Sequence, residues 1–346
     1  MQSIQNKQRP LFGSVMLILC AIVWGLAFAF QRKAANSINP IAFNGLRFSL
    51  AAVTIFIFLV IYELINKKRG IKSTGWNKST IFGGICCGIA LLIASNLQQY
   101  GIQFTSGGKA SFITALYIVL VPILGLLTGR KPRLLSCFAI PIAMAGFWLM
   151  CSTGGETLGE GDLYGLLSTG MFALQILFID VFGSDSDPIK ITLVQFVTCA
   201  VVSIPCMAIA GFPSSPELAN PDILISLMYV GIFSAGIGYT LQTIGQKYTE
   251  PSVASLIMSL ESVIGLIGCV LILQENHSVI EMLGCVLVFV AVILAQLQLK
   301  KKFLQFDKKR YIITSSIMSR LVENAERVWQ RICGRIRAQK GDKPRK

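Results

Sequence analysis

The sequence predicts an all-α integral membrane protein, with ten transmembrane helices arranged as two inverted five-helix repeats. Three observations carry that prediction. Of 346 residues, 53% are apolar and only 14% charged, with a mean hydropathy of +0.66; soluble domains carry about a quarter charged residues. Too few polar side chains exist to cover a water-soluble body of this size, and intrinsic disorder requires low hydropathy. Ten apolar runs approach the ~20 residues a helix needs to cross the hydrocarbon. The last five runs echo the first five at a nearly constant offset.

The first run, 11–30, follows Lys7 and Arg9 and passes Ala27-Phe28-Ala29, a faint signal-peptide pattern. It is longer than a signal core and has a counterpart later in the chain, so it is read as an uncleaved helix. The second run, 42–65, opens after Asn39-Pro40 and carries Arg47. The charged connection Asn66–Lys78 leads to the third, 80–100, whose Gly84-Ile85-Cys86-Cys87-Gly88 is a G-x-x-x-G suited to close helix packing within the monomer. The fourth, 107–128, and the fifth, 134–152, flank Gly129–Arg133. The sixth, 162–183, holds Gln175 and Asp180; Ser184–Pro188 separates it from the seventh, 189–211. Gly211–Pro221 precedes the eighth, 222–244. The ninth, 252–273, has Glu261 near its middle, and the tenth is 277–298. Short connections imply that successive helices are antiparallel neighbours.

The repeat rests on polar and special residues rather than on apolar similarity. Thr105-Ser106-Gly107-Gly108-Lys109-Ala110-Ser111 aligns with Thr249-Glu250-Pro251-Ser252-Val253-Ala254-Ser255 at an offset of 144, and Gly101 and Gln98 fall on Gly245 and Gln242. Earlier the offset is 148: Asn39-Pro40-Ile41 meets Asp187-Pro188-Ile189, and Arg47-Phe48 meets Gln195-Phe196. The expected units are residues 1–152, 153–298 and a basic tail, 299–346. Five spans per copy is an odd number, so the second copy enters the membrane from the opposite face. Inverted repeats are a frame for alternating access, with substrate near the midplane. Lys/Arg asymmetry sets the orientation. With the N-terminus inside, the inner segments hold twelve basic residues and the outer loops only Arg32 and Lys33. Both termini are expected in the cytoplasm of a multi-pass cell-membrane protein.

Several stretches carry a family likeness. These are Trp24-Gly25 in the first span, Asn39-Pro40 followed by Arg47, Thr105 to Phe112 ending in Val121-Pro122, and Ser259-Leu260-Glu261 in the ninth span. In this order the chain resembles the drug/metabolite transporter superfamily, in its ten-helix EamA-domain branch, over about residues 11–298. Ser262 stands where that pattern has a proline, which predicts a less kinked ninth helix. The resemblance implies a carrier of small metabolites, often an exporter of amino acids or related compounds.

Ionisable groups within a bilayer are costly and tend to face a cavity or a partner. Glu261, about ten residues into its span, would suit proton coupling or cationic-amine binding. A structural carboxyl bonded to a neighbouring helix is the plainer reading. Arg47 would hold a substrate carboxylate in its fork of donors, or snorkel to the interface. Lys109 begins the fourth span and suits an interface anchor or a substrate contact. Trp24, Tyr117 and Tyr239 are candidate cavity aromatics, with Tyr117 at the repeat position of Glu261; Tyr100 is another. Asn96 and Gln98 supply amides for a substrate or a neighbouring helix, as do Gln99, Gln175 and Gln242.

Enzyme chemistry finds no support: no P-loop, G-x-S-x-G or H-E-x-x-H occurs. With one histidine, His277, and no C-x-x-C, no metal and no cofactor is expected. The ten cysteines are read as small membrane-compatible hydrophobes. The expected function is secondary transport of a small polar metabolite by alternating access, with export favoured. Its rivals are uptake or exchange, or a lipid-handling or structural role. Oligomeric state is left open.

The net charge of +14 is concentrated at the C-terminus, where residues 299–346 carry 15 Lys/Arg against 4 Asp/Glu. A basic tail on such a protein meets anionic lipid rather than nucleic acid. Ile313, Ile317, Leu321, Ala325, Val328, Ile332 and Ile336 form an apolar stripe, with Arg320, Arg327, Arg331, Arg335 and Arg337 largely off it. This is the pattern of a helix lying on an anionic leaflet. Circular dichroism of a peptide of residues 310–340 should show helicity gained with anionic vesicles and much less with neutral ones. Equal gains with both would remove the electrostatic contribution.

Overall fold

A computed structural model describes residues 10–70, 75–127, 134–152, 159–183, 186–275 and 278–296. The expectations for the tail and its apolar stripe lie outside the described residues. Met1–Gly125 and Pro132–Gln298 form one compact unit. Of the second unit, Leu126–Lys131 with Leu299–Lys346, only Leu126 and Leu127 are described.

Every regular element among the described residues is helical. The order is α1 (Pro10–Ala35), α2 (Pro40–Lys68), α3 (Lys78–Gln103), α4 (Gly107–Ala115), α5 (Tyr117–Leu127), α6 (Leu134–Ser152), α7 (Glu160–Gly183) and α8 (Pro188–Ala210). There follow α9 (Ser215–Ala219), α10 (Pro221–Met228), the π-helix π1 (Tyr229–Gly238), α11 (Tyr239–Gln246), α12 (Pro251–Met258), α13 (Leu260–Leu273) and α14 (Val279–Gln296). Eight stretches are long and apolar enough to cross a membrane: α1, α2, α3, Gly107–Leu126, α7, α8, Pro221–Gln246 and Pro251–Leu273. The chain is thus a multi-pass membrane protein. The fifth and tenth expected spans fall on the helices α6 and α14, which pack on each other but are not among the eight stretches long and apolar enough to cross a membrane.

Local sequence explains the helix starts. Asn39 Oδ1 accepts the Ile41 N–H at 2.9 Å and Asp187 Oδ1 accepts the Ile189 N–H at 2.9 Å, each just before a proline at the first helical position. Proline costs nothing there, since its missing N–H would have no helical partner. Ser106 caps α4 by accepting the Lys109 N–H.

The fourth and ninth spans are each interrupted near mid-length. The break falls at Leu116 in one and at Ser259 in the other. The absence of a proline therefore does not make the ninth helix continuous. Ser259 Oγ donates to the Leu256 carbonyl and Ser262 Oγ to the Ser259 carbonyl. Such back-bonding competes with the helix ladder and bends or interrupts it.

The bundle turns its polar side chains inward. Gln175, Gln195, Gln242, Ser95 and Thr192 are buried, while Phe56, Ile57, Ile204, Ile209 and Leu271 are exposed. In hydrocarbon this inversion is required, because lipid offers apolar side chains a partner and polar ones none. The principal helix pairs are α3 with α7, α6 with α14, α1 with α13, α2 with α8, and α3 with α8. Also packed on α1 are π1 and α11. Small residues permit the closest approaches: the G-x-x-x-G glycines Gly84 and Gly88 lie against Val194, Gln195 and Thr198 of α8.

Side-chain contacts define two ends of the bundle. At the Phe104 end, Arg32 donates to the carbonyls of Ile102 and Gln103, Gln103 donates to that of Ala35, and Lys33 pairs with Asp222 at 2.8 Å. At the Tyr248 end, Phe12 meets the Tyr248 ring edge-on, and Lys247 donates to the Ser186 carbonyl. There too Lys190, itself buried, pairs with Glu63 at 2.8 Å and lies over the Trp76 ring.

Candidate functional site

A cavity with about 410 Å³ of empty volume lies among α1, α2, α3, α4, α5, α7, π1, α11 and α13. Trp24, Arg47, Gln98, Tyr117, Tyr239 and Glu261 all line it. So do Ala27, Phe28, Gln31, Thr114, Phe172, Gln175, Ile176, Ser234 and Gln242.

Two ionisable groups dominate it. Arg47 is 3% exposed, and one terminal nitrogen donates to Gln31 Oε1 at 3.3 Å while the other reaches Ser234 Oγ at 3.5 Å. Its Nε has no hydrogen-bond partner, and among the described residues no carboxylate pairs with it. The guanidinium therefore does not snorkel. Glu261 is 2% exposed and lies in the first turn of α13, directly after the Ser259 interruption. Tyr117, the first residue of α5, follows the matching interruption at Leu116. The Tyr117 hydroxyl lies beside the Glu261 carboxyl. Neither that hydroxyl nor Glu261 Oε1 makes a hydrogen bond of good geometry within the protein.

The remaining polar groups are better satisfied. Trp24 Nε1 donates to the Ser234 carbonyl at 3.1 Å, tying α1 to π1, and its ring stands 4.6 Å from that of Tyr239 at 52°. Gln98 donates to Thr114 Oγ1 at 2.9 Å. Gln175 Nε2 donates to Gln195 and Gln242, each at 3.2 Å, and Gln242 returns a bond to Gln175 Oε1. This amide cluster links α7, α8 and α11.

Two expected site residues lie elsewhere. Asn96 is absent from the lining; it accepts from Asn44 at 3.2 Å and donates to the Leu92 carbonyl of its own helix. Lys109 pairs with Asp162 at 3.0 Å, joining α4 to α7 at the Phe104 end. Tyr100 likewise packs near Tyr164 rather than in the cavity. Sequence reasoning missed Gln31, Thr114, Ser234, Phe28 and Phe172. A usable signal was present, because the lining follows the repeat. Trp24 and Phe172, Ala27 and Gln175, and Phe28 and Ile176 are related by 148; Gln98 and Gln242, and Tyr117 and Glu261, by 144. Ten of the fifteen lining residues thus form repeat pairs.

Among the described residues no group of three or more His, Cys, Asp or Glu side chains is placed to hold a metal ion. The profile of the EamA-like transporter family matches twice, over residues 11–152 and 159–297. An uncharacterized transporter of Archaeoglobus fulgidus is 27% identical over 84% of this chain and 87% of its own. The inner membrane transporter YedA of Escherichia coli, also uncharacterized, is 24% identical over 75% and 81%. Protein PagO of Salmonella typhimurium is 21% identical over 73% and 82%. A crystal structure of a protein 14% identical in sequence superposes with a TM-score of 0.64, over 82% of this chain and 98% of that one. That likeness concerns the fold alone.

The amide cluster yields a contrast in stability. Replacing Gln175 with Leu strands both Gln195 and Gln242, and a buried amide without partners costs about 1–3 kcal/mol. Gln195 has an unpartnered Nε2 already. Gln195→Leu is therefore expected to lower the thermal midpoint of the purified protein less than Gln175→Leu. Equal or reversed losses would show that the cluster is not held through Gln175.

Proposed function

Because the chain belongs to the EamA-like transporter family, and is a membrane transporter, we propose that it is a ten-span secondary transporter of a small polar metabolite. An amino acid or a related compound is the favoured class. Its two five-helix halves alternate access to the cavity, residues 1–152 on one side and 153–298 on the other. The observation that carries this reading is the pair of buried, oppositely ionisable groups, Arg47 and Glu261, facing one cavity without a charged partner. A guanidinium removed from water costs several kcal/mol unless something compensates it. A ligand carboxylate at Arg47 does so, with Gln31 and Ser234 alongside. A ligand ammonium or a proton at Glu261 completes the arrangement, with Tyr117 as its neighbour.

Packing supports the inverted frame. Exchanging the halves turns the contact of α3 with α7 into that of π1 and α11 with α1, and both occur. The pairs α2 with α8 and α6 with α14 map onto themselves. No Walker motif is present to couple flux to ATP, so a solute, proton or ion gradient drives it. The basic connections support a reading with both termini in the cytoplasm of a cell-membrane protein, and export is the favoured direction.

Counterflow in proteoliposomes with a panel of small polar metabolites should give saturable flux for at least one. Glu261→Gln keeps shape and hydrogen bonding but removes titration; it should insert normally while the rate, or its pH dependence across about pH 5.5–8.5, is lost. A variant matching the parent in rate, affinity and pH profile would contradict the role of Glu261. Lipid movement without solute flux would contradict transport of a metabolite.

A further inference from the structure

The cavity lies between two helix contacts that the repeat makes equivalent. Gly101 of α3 meets Gly161 of α7 so closely that a Cβ on either would stand 2.7 Å from the other's carbonyl oxygen. Gly13 of α1 meets Gly245 of α11 in the same way, at 3.0 Å. Gly13 and Gly161 are related by 148, Gly101 and Gly245 by 144, the offsets that pair the cavity lining. Each contact is placed alike with respect to the lining. Gly101 is three residues beyond Gln98 toward the Phe104 end, and Gly245 is three beyond Gln242 toward the Tyr248 end. Three residues are about one helical turn, or ~4.5 Å. The unpartnered Arg47 Nε, Tyr117 hydroxyl and Glu261 Oε1 belong to the space between them.

Other close glycines do not share this placement. Gly146 approaches the Gly284 carbonyl on α6 and α14, helices that contribute nothing to the lining. Gly84 and Gly88 correspond to Met228 and Ile232, so their contact with α8 has no glycine counterpart. Each of the two contacts has glycine on both sides, so a side chain added on either would push the helices apart.

We propose that the Gly101–Gly161 and Gly13–Gly245 contacts are the two gates of the cavity, both shut here and opened in turn. This rests on the alternating-access reading above. Its test therefore follows the face to which the cavity opens, not flux, so the gates can fail while transport stands.

The measurement is the sided reactivity of a cavity thiol, Ala27→Cys, in the full chain with its ten native cysteines replaced. An impermeant maleimide is applied to vesicles of either orientation. Gly101→Ala and Gly161→Ala should each speed labelling from the Phe104 end about tenfold and leave the Tyr248 end unchanged. Gly13→Ala and Gly245→Ala should do the reverse. The double variant Gly101→Ala/Gly245→Ala should bring the ratio of the two rates back to within about twofold of the parent's, because both shut contacts are penalised alike. Labelling raised from both faces in every variant would indicate general loosening and overturn the proposal. Unchanged labelling would overturn it as well. So would failure of all four single variants to fold in the membrane, since a contact that opens during the cycle must tolerate separation.

Discussion

Withdrawing a charged group from water into a low-dielectric interior is the most expensive step in building this bundle. The chain takes that step at Arg47 and at Glu261, and it gives neither a charged partner among the described residues. The surroundings follow from this. Gln31 and Ser234 turn their oxygens to the guanidinium. Interruptions at Leu116 and Ser259 bring Tyr117 and Glu261 to the starts of α5 and α13, where they meet. Removing the two charges would make the bundle cheaper to fold. In the proposed function, their compensation comes from a bound ligand.

Several other polar groups around the cavity are paired. Gln175, Gln242 and Gln195 bond one another, Gln98 bonds Thr114, and Trp24 bonds a carbonyl of π1. The cavity wall is therefore held by bonds between helices within each half and, at Trp24–Ser234, by one that crosses between the halves. In the proposed transport cycle, binding falls to the few unpaired groups at the cavity, Arg47 Nε, the Tyr117 hydroxyl and Glu261 Oε1.

Much of this was readable from residue order. Hydropathy marks the spans, and the matched Asn39-Pro40 and Asp187-Pro188 starts reflect capping chemistry visible in the letters. Depth along a helix is also readable, which is why Trp24, Arg47, Gln98, Tyr117, Tyr239 and Glu261 converge on one cavity. The direction a side chain faces is not. Asn96 and Gln98 have nearly the same depth, but two residues turn a helix by about 200°, so one faces α2 and the other the cavity. Lys109 lies at the bundle end, where Asp162 claims it. The break at Ser259 was hidden because a serine hydroxyl serves where a proline was expected. Ser234 is unremarkable in sequence; it matters because π1 turns its carbonyl toward Trp24 and its hydroxyl toward Arg47.

A ligand is proposed to supply what Arg47 and Glu261 lack. An electron cryo-microscopy reconstruction of the protein, saturated with a solute that undergoes counterflow, tests it most directly. Solute density is expected between the two helix interruptions, with an acceptor within hydrogen-bonding distance of the Arg47 guanidinium, ~2.7–3.2 Å. Solute bound elsewhere in the bundle, with Arg47 and Glu261 left as they stand, would contradict it.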